Sequence, residues 1–268
     1  MSRSRRQPVR GLLAIPMILA AVLSGCGAPD PESSTAAAAT PSLTVGEIPA
    51  PAQRAPSPAT PTATDPAADP YADPAAVTVV VNKRRPLDPI DYAPDELVLP
   101  DVALATDRAN ATLRPDAAQA VEEMFAAAAD DDVGLTLVSG YRSYTVQVDT
   151  YDYWVSRNGS AENADNYSAR PGFSEHQTGL AFDIGQDDGA CTLRSCFAET
   201  AAAAWAADNA HRFGFILRYP ENRQDTTGFL AESWHYRFVG AETSATMRDD
   251  GVQTLEEHFG LPDAPDYG

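Results

Sequence analysis

Apolar residues recur with two distinct periods over most of the chain and with neither over its first quarter. From Pro115 to about Ala129, Ala118, Val121, Met124 and Phe125 fall three or four apart behind a proline, which predicts a helix with one buried stripe. A second helix is expected from Ser143, a good N-cap, through Val146, Tyr151 and Trp154 to the stop at Asn158-Gly159. An Ala-rich third runs from about Ala198 to Arg212, and Gly214 ends it. Between them lie strand-like runs. Val133 to Val138 is one, and Leu180, Phe182 and Ile184 alternate with Ala181 and Asp183 as in a half-buried strand. Phe215 to Leu217 and Tyr236 to Val239 are two more. Val77 to Asn82 reads as a short strand or an extended lead-in, followed by a passage holding Pro86, Pro89, Pro94 and Pro100. Helices and strands intermix without βαβ repetition, so the expected class is α+β, in one domain spanning 77–263 with a flexible C-terminus at 264–268.

Composition separates that domain from what precedes it. Residues 26–76 are mostly Ala, Pro, Thr, Ser and Asp, too poor in large apolar side chains to offset their ordering entropy, so a disordered tether is expected. Residues 1–25 carry Arg3, Arg5, Arg6 and Arg10 with no acid, then an apolar stretch from Gly11 to Ser24. That is the form of an export signal, and it falls short of the roughly 20 apolar residues of a membrane span. The exit, Leu23-Ser24-Gly25-Cys26, resembles the lipobox of bacterial lipoproteins. The resemblance implies cleavage before Cys26, its acylation, and a lipid-anchored domain on the outer face of the cytoplasmic membrane. An ordinary signal with an incidental cysteine is the alternative, and the Arg5-Arg6 pair leaves the export route open. Cys191 and Cys196 then remain, placed for a short-loop disulfide in an oxidising exterior, with free thiols as the other reading. The net charge of −19 repels nucleic acid and anionic headgroups, which leaves the lipid anchor as the only expected membrane contact. A monomer is expected.

The candidate chemistry starts from four histidines. His211, near the end of the third helix, and His258, beside two glutamates, suit structural roles. His176 is followed seven positions later by Asp183, which points away from the apolar side of its strand next to the small Ala181. Glu232 and His235 are three apart, so a regular strand would put them on opposite faces and the chain must turn or bulge if both serve one site. Catalytic zinc takes three protein ligands and leaves a fourth position for water, whose proton a nearby carboxylate can accept. His176, Asp183 and His235 supply the three and Glu232 the carboxylate. Spacing alone leaves isolated polar residues an equal reading.

Three segments go further. SGYRSYTVQ (Ser139 to Gln147), RPGFSEHQTGLAFDI (Arg170 to Ile184) and ESWHYRFVG (Glu232 to Gly240) resemble the VanY-type zinc D-alanyl-D-alanine carboxypeptidases, with S-x-H-x6-D and E-x-W-H intact. The resemblance implies a small, mostly antiparallel sheet flanked by helices. It implies Zn²⁺ on His176, Asp183 and His235, Glu232 as catalytic base, and Arg142 on the substrate's terminal carboxylate, a pairing suited to a guanidinium fork. Ser174 and Gln147 match positions that contact substrate. Ser233 departs from the proline common in relatives but removes no ligand. The implied activity is removal of the terminal D-alanine from peptidoglycan stem peptides. An L,D-carboxypeptidase or an endopeptidase would use the same ligands, and a non-catalytic lipoprotein binding wall peptides is a further alternative.

Overall fold

In the computed structural model, which describes residues 69–268, each long helix begins and ends where its capping chemistry allows. Helix α1 (Pro115–Asp130) has proline in its first turn and buries Ala117, Ala118, Val121, Met124, Phe125 and Ala128. Strand β1 (Leu135–Ser139) follows. Helix α2 (Tyr144–Asn158) starts where Ser143 Oγ accepts the Val146 N–H at 3.3 Å and stops at Gly159, whose φ of +80° favours glycine. A short α3 (Ala161–Ala164) leads back to β2 (Ala181–Gln186). The third expected helix is shorter than its alanines suggest. Thr200 is extended and its Oγ1 accepts the Ala203 N–H at 3.2 Å, so α4 spans only Ala201–Asn209, between 3-10 turns at Ser195–Glu199 and Ala210–Phe213. Then come β3 (Phe215–Tyr219), α5 (Gln224–Thr227), β4 (Glu232–Phe238), α6 (Ala241–Asp250) and α7 (Leu255–Phe259).

The strands form one sheet, ordered β1-β2-β4-β3 with every neighbouring pair antiparallel. The result is the expected α+β domain. Phe182, Phe215 and Tyr236 meet on one face, with ring centroids 5.0 Å apart for the two phenylalanines. Leu137 and Ile184 join them, with Val121 and Met124 of α1 and Trp205 of α4. A smaller cluster gathers Val80, Ile216, Val239, Met247 and Leu255. Among the described residues no helix is long and apolar enough to cross a membrane.

Two boundaries differ from those that composition suggests. Asp69 to Ala76, read as tether, packs on the domain: Asp69 pairs with Arg85 at 2.7 Å, and Tyr71 stacks on Phe259 at 4.1 Å. Residues 264–268, read as a flexible end, are also held. Ala264 donates to the Thr226 carbonyl at 2.9 Å, Asp266 pairs with Arg84, and the Tyr267 hydroxyl accepts the Arg170 N–H at 2.8 Å. One aromatic anchor in each segment does what average composition does not register. The leader, Cys26 and the tether to residue 68 lie outside the described residues.

Val77 to Asn82 forms an extended lead-in without a strand ladder. Its backbone acceptors are served by a side chain instead, since Arg237 Nη2 donates to the carbonyls of Val77 at 2.9 Å and Val79 at 2.7 Å. Arg237 belongs to a fully buried charge network. Arg218 donates from Nε to Glu175 at 2.9 Å and from Nη1 and Nη2 to Glu256 at 3.0 and 2.8 Å, while Arg237 Nη1 reaches the same Glu175 oxygen at 3.0 Å. Asn82 Nδ2 completes the coordination of Glu256 at 2.8 Å. Removing one member strands a buried charge, so Glu256→Ala is expected to cost about 3 kcal/mol by chemical denaturation. Burial opposes ionisation of Glu256, but Arg218 outweighs it and holds the carboxyl below its ordinary 4.5. The unfolded chain therefore takes up this proton first. The stability gap between wild type and the variant should be full above pH 4.5 and shrink as pH falls below it.

Candidate active site

Strand register sets the first pair of site residues. Asp183 on β2 lies directly opposite His235 on β4, and Asp183 Oδ1 is 3.1 Å from His235 Nδ1. The 3-10 turn Glu175–Thr178, closed by Gly179 at φ +70°, brings His176 beside them, its Nε2 3.4 Å from Asp183 Oδ2. His176 Nδ1 lies 2.7 Å from the Gly140 carbonyl. A carbonyl only accepts, so that nitrogen carries the hydrogen and Nε2 offers its lone pair. The imidazoles meet edge to face at 4.9 Å. One ligand atom from each of His176, Asp183 and His235 lies within 4.8 Å of the others, all three residues buried.

Glu232 reaches the same site because β4 is irregular. Leu217 of β3 pairs with Tyr236, but Tyr219, two residues on, pairs with Glu232, four residues back. The extra length on β4 is a bulge, which re-aims side chains next to a site. It places Glu232 Oε2 3.8 Å from His235 Nδ1, so the two reach one site through the irregularity that their spacing required.

The environment separates the two carboxylates. Burial opposes the charge on Asp183, but the imidazoles of His176 and His235 hold it well below the usual carboxylate range. Burial pushes Glu232 up to about 7, helped by Asp183 and opposed by His235 and Arg142, and the 20% of its side chain still exposed tempers that push. Burial would lower His235, yet hydrogen bonds to Asp183 and Glu175 carry it up to about 9. His176 is lowered, chiefly by burial. Two His and one Asp, buried and convergent, form a donor set that suits zinc.

Arg142 lines the same cleft, of about 1130 Å³. Its Nη1 donates to Gln147 Oε1 at 3.0 Å and its Nη2 to Ser139 Oγ at 3.1 Å. Ser174 also lines the cleft. Gln147, expected to touch substrate, is not among the residues that line the cleft. It is fully buried, with its amide nitrogen donating to Ser168 Oγ and the Ala169 carbonyl and its oxygen spent on Arg142, so it supports the arginine instead.

Several cleft residues had no role assigned to them from the sequence. Trp154 and Tyr167 stack with parallel rings 5.5 Å apart, and Tyr219 packs on His235 at 4.8 Å. Cys191 and Cys196 are bonded, and the loop they close brings Leu193, Arg194 and Ser195 to the rim. The cysteine spacing was the available signal for that loop, and the aromatic pair had none.

The family model described as VanY, D-alanyl-D-alanine carboxypeptidase, matches residues 110–241. VanXYC of Enterococcus gallinarum, a bifunctional D-Ala-D-Ala dipeptidase and D-Ala-D-Ala carboxypeptidase, is 36% identical over 184 residues, covering 67% of this chain and 91% of the relative. The chain belongs to the VanY family. Membership makes it an enzyme of carboxypeptidase type. Among solved structures, the LdcB LD-carboxypeptidase is 40% identical with a TM-score of 0.65, over 71% of this chain and 88% of that one. A variant of the vancomycin resistance D,D-pentapeptidase VanY, in complex with Zn(II), is 30% identical with a TM-score of 0.56, over 67% and 97%.

The disulfide loop has a testable consequence for this VanY-family enzyme. Replacing both Cys191 and Cys196 by serine frees Leu193 to Ser195 at the rim without touching the ligand set. KM should rise several-fold with metal content unchanged, as read by steady-state kinetics and elemental analysis.

Proposed function

We propose that the protein is a zinc-dependent carboxypeptidase that removes the C-terminal D-alanine from peptidoglycan stem peptides. The observation that carries the reading is the convergence of His176, Asp183 and His235 with Glu232 in the cleft that Arg142 also lines. His176, Asp183 and His235 would hold the ion. When bound, zinc supplies a Lewis acid that polarises a carbonyl and lowers the pKa of water to about 7. Glu232, raised toward neutrality, takes the proton from the attacking water and returns it to the departing amine. Arg142, held by Ser139 and Gln147, presents its fork to the terminal carboxylate and so sets which bond reaches the site. Zn(II) in the VanY relative and the family description support the metal and the D,D-bond.

A second reading is favoured by one comparison. The LdcB LD-carboxypeptidase shares more identity and a higher TM-score with this chain than the D,D-pentapeptidase does, which supports trimming of tetrapeptide stems. The leader and Cys26 support export of the enzyme and its anchoring by lipid at the outer face of the cytoplasmic membrane.

Zinc-loaded protein should release D-alanine from synthetic pentapeptide stems under the first reading and from tetrapeptide stems under the second. No release from either would sink the peptidase assignment. Glu232→Gln should keep zinc and lose about 10²–10⁴-fold in kcat. His176→Ala should lose zinc as well, by elemental analysis. Arg142→Lys should raise KM for peptides with a free carboxyl end, while peptides with an amidated end remain poor substrates of wild type and variant alike.

A further inference from the structure

Glu175 precedes His176 in sequence, yet its carboxylate faces the other histidine. Its Oε2 is 3.5 Å from His235 Nε2, at the outer limit of a hydrogen bond. Both atoms are buried, and among the described residues neither has another polar partner. A buried N–H left unpaired costs about 1–3 kcal/mol, so each is the other's means of satisfaction. The remaining oxygen, Oε1, accepts from Arg218 Nε at 2.9 Å and Arg237 Nη1 at 3.0 Å, which fixes the carboxylate in place.

We propose that Glu175 is a positioning residue of the metal centre: by accepting the Nε2–H of His235 it sets that ring's rotation and tautomer and leaves the Nδ1 lone pair facing the ligand cluster. The proposal rests on the zinc reading of the site. A neutral imidazole carries one hydrogen, and a carboxylate at Nε2 draws it there. Nδ1 is the nitrogen that lies 3.1 Å from Asp183 and 3.8 Å from Glu232, on the site's side of the ring. His176 is arranged the opposite way, with Nδ1 on the Gly140 carbonyl and Nε2 toward Asp183. The two histidines thus present opposite nitrogens to one point. A neutral backbone group orients one and an anion orients the other. Because Glu175 shares Arg218 with Glu256, the centre is braced by α7 and, through Arg237, by the lead-in segment.

The deciding measurement uses the wild-type protein loaded with zinc and labelled with ¹⁵N. Long-range ¹H–¹⁵N spectra should show His235 with zinc on Nδ1 and a slowly exchanging hydrogen on Nε2. The reverse assignment overturns the proposal. Glu175→Gln should weaken zinc binding about 10–100-fold and alter the visible spectrum of the cobalt-substituted protein. Glu256→Gln, in the same network but away from His235, should lower the melting temperature and leave zinc affinity and cobalt spectrum as in wild type. Wild-type affinity and spectrum in Glu175→Gln, or equal loss of zinc in both variants, would reduce Glu175 to a structural role. Wild-type protein that bound no zinc would overturn the zinc reading itself, an outcome separate from zinc bound through the wrong nitrogen.

Discussion

A single carboxylate oxygen with two guanidinium groups on it, in a region without solvent, is the constraint on which the rest of the structure depends. Taking an ion out of water costs several kcal/mol, and attraction offsets that cost only when geometry is good and remaining donors are satisfied. Glu175 Oε1 meets the condition because Arg218 and Arg237 spend their other nitrogens on Glu256, on the Phe238 carbonyl and on the carbonyls of Val77 and Val79. The partners come from the 3-10 turn, β3, β4, α7 and the lead-in. No shift of one element relative to another keeps all these bonds. The network therefore specifies an arrangement more than it adds net stability, since apolar residues of equal volume often stabilise as well or better.

Local periodicity made the helices and strands legible, because helix and strand signals need only neighbours in sequence. It also made the bulge in β4 legible, since Glu232 and His235 three apart cannot share a face of a regular strand. The convergence of His176, Asp183 and His235 was readable only through their motif context. What stayed hidden was non-local. Arg218 and Glu175 are 43 positions apart, and Arg237 and Glu175 are 62 apart. Charged residues on a strand read by default as solvated, and nothing near Arg218 or Arg237 in sequence reveals a buried partner. The burial of Gln147 behind Arg142 was hidden for a different reason. A motif position marks a residue tied to the site without separating a substrate contact from the support behind one.

The site itself shows how one environment gives two carboxylates different roles. Asp183 sits between imidazoles and is held ionised, while Glu232 at the cleft is pushed toward neutrality. Groups pushed apart in this way divide the work of anchoring and proton transfer. In the absence of an ion, His235 between the carboxylates of Asp183 and Glu175 favours its protonated form. A divalent cation would replace that proton, so metal affinity and pH are coupled at this residue. Such coupling runs into the fold, because the group that holds the far side of His235 also holds two core arginines.

Discrimination between stem peptides must then come from elsewhere. The ligand set, Glu232 and their supports are tied to the buried network and leave little freedom to vary. The cleft walls are not so tied. Leu193 to Ser195 hang on a loop closed by one disulfide, and Trp154 and Tyr167 stand on α2 and the turn after α3, away from the sheet. Arg142 lies between these regimes, since it lines the cleft while Gln147 anchors it from the interior. On the proposed reading, the end of the substrate meets this anchored arginine. On that reading, the residues before it meet surfaces that can change without disturbing His176, Asp183 and His235.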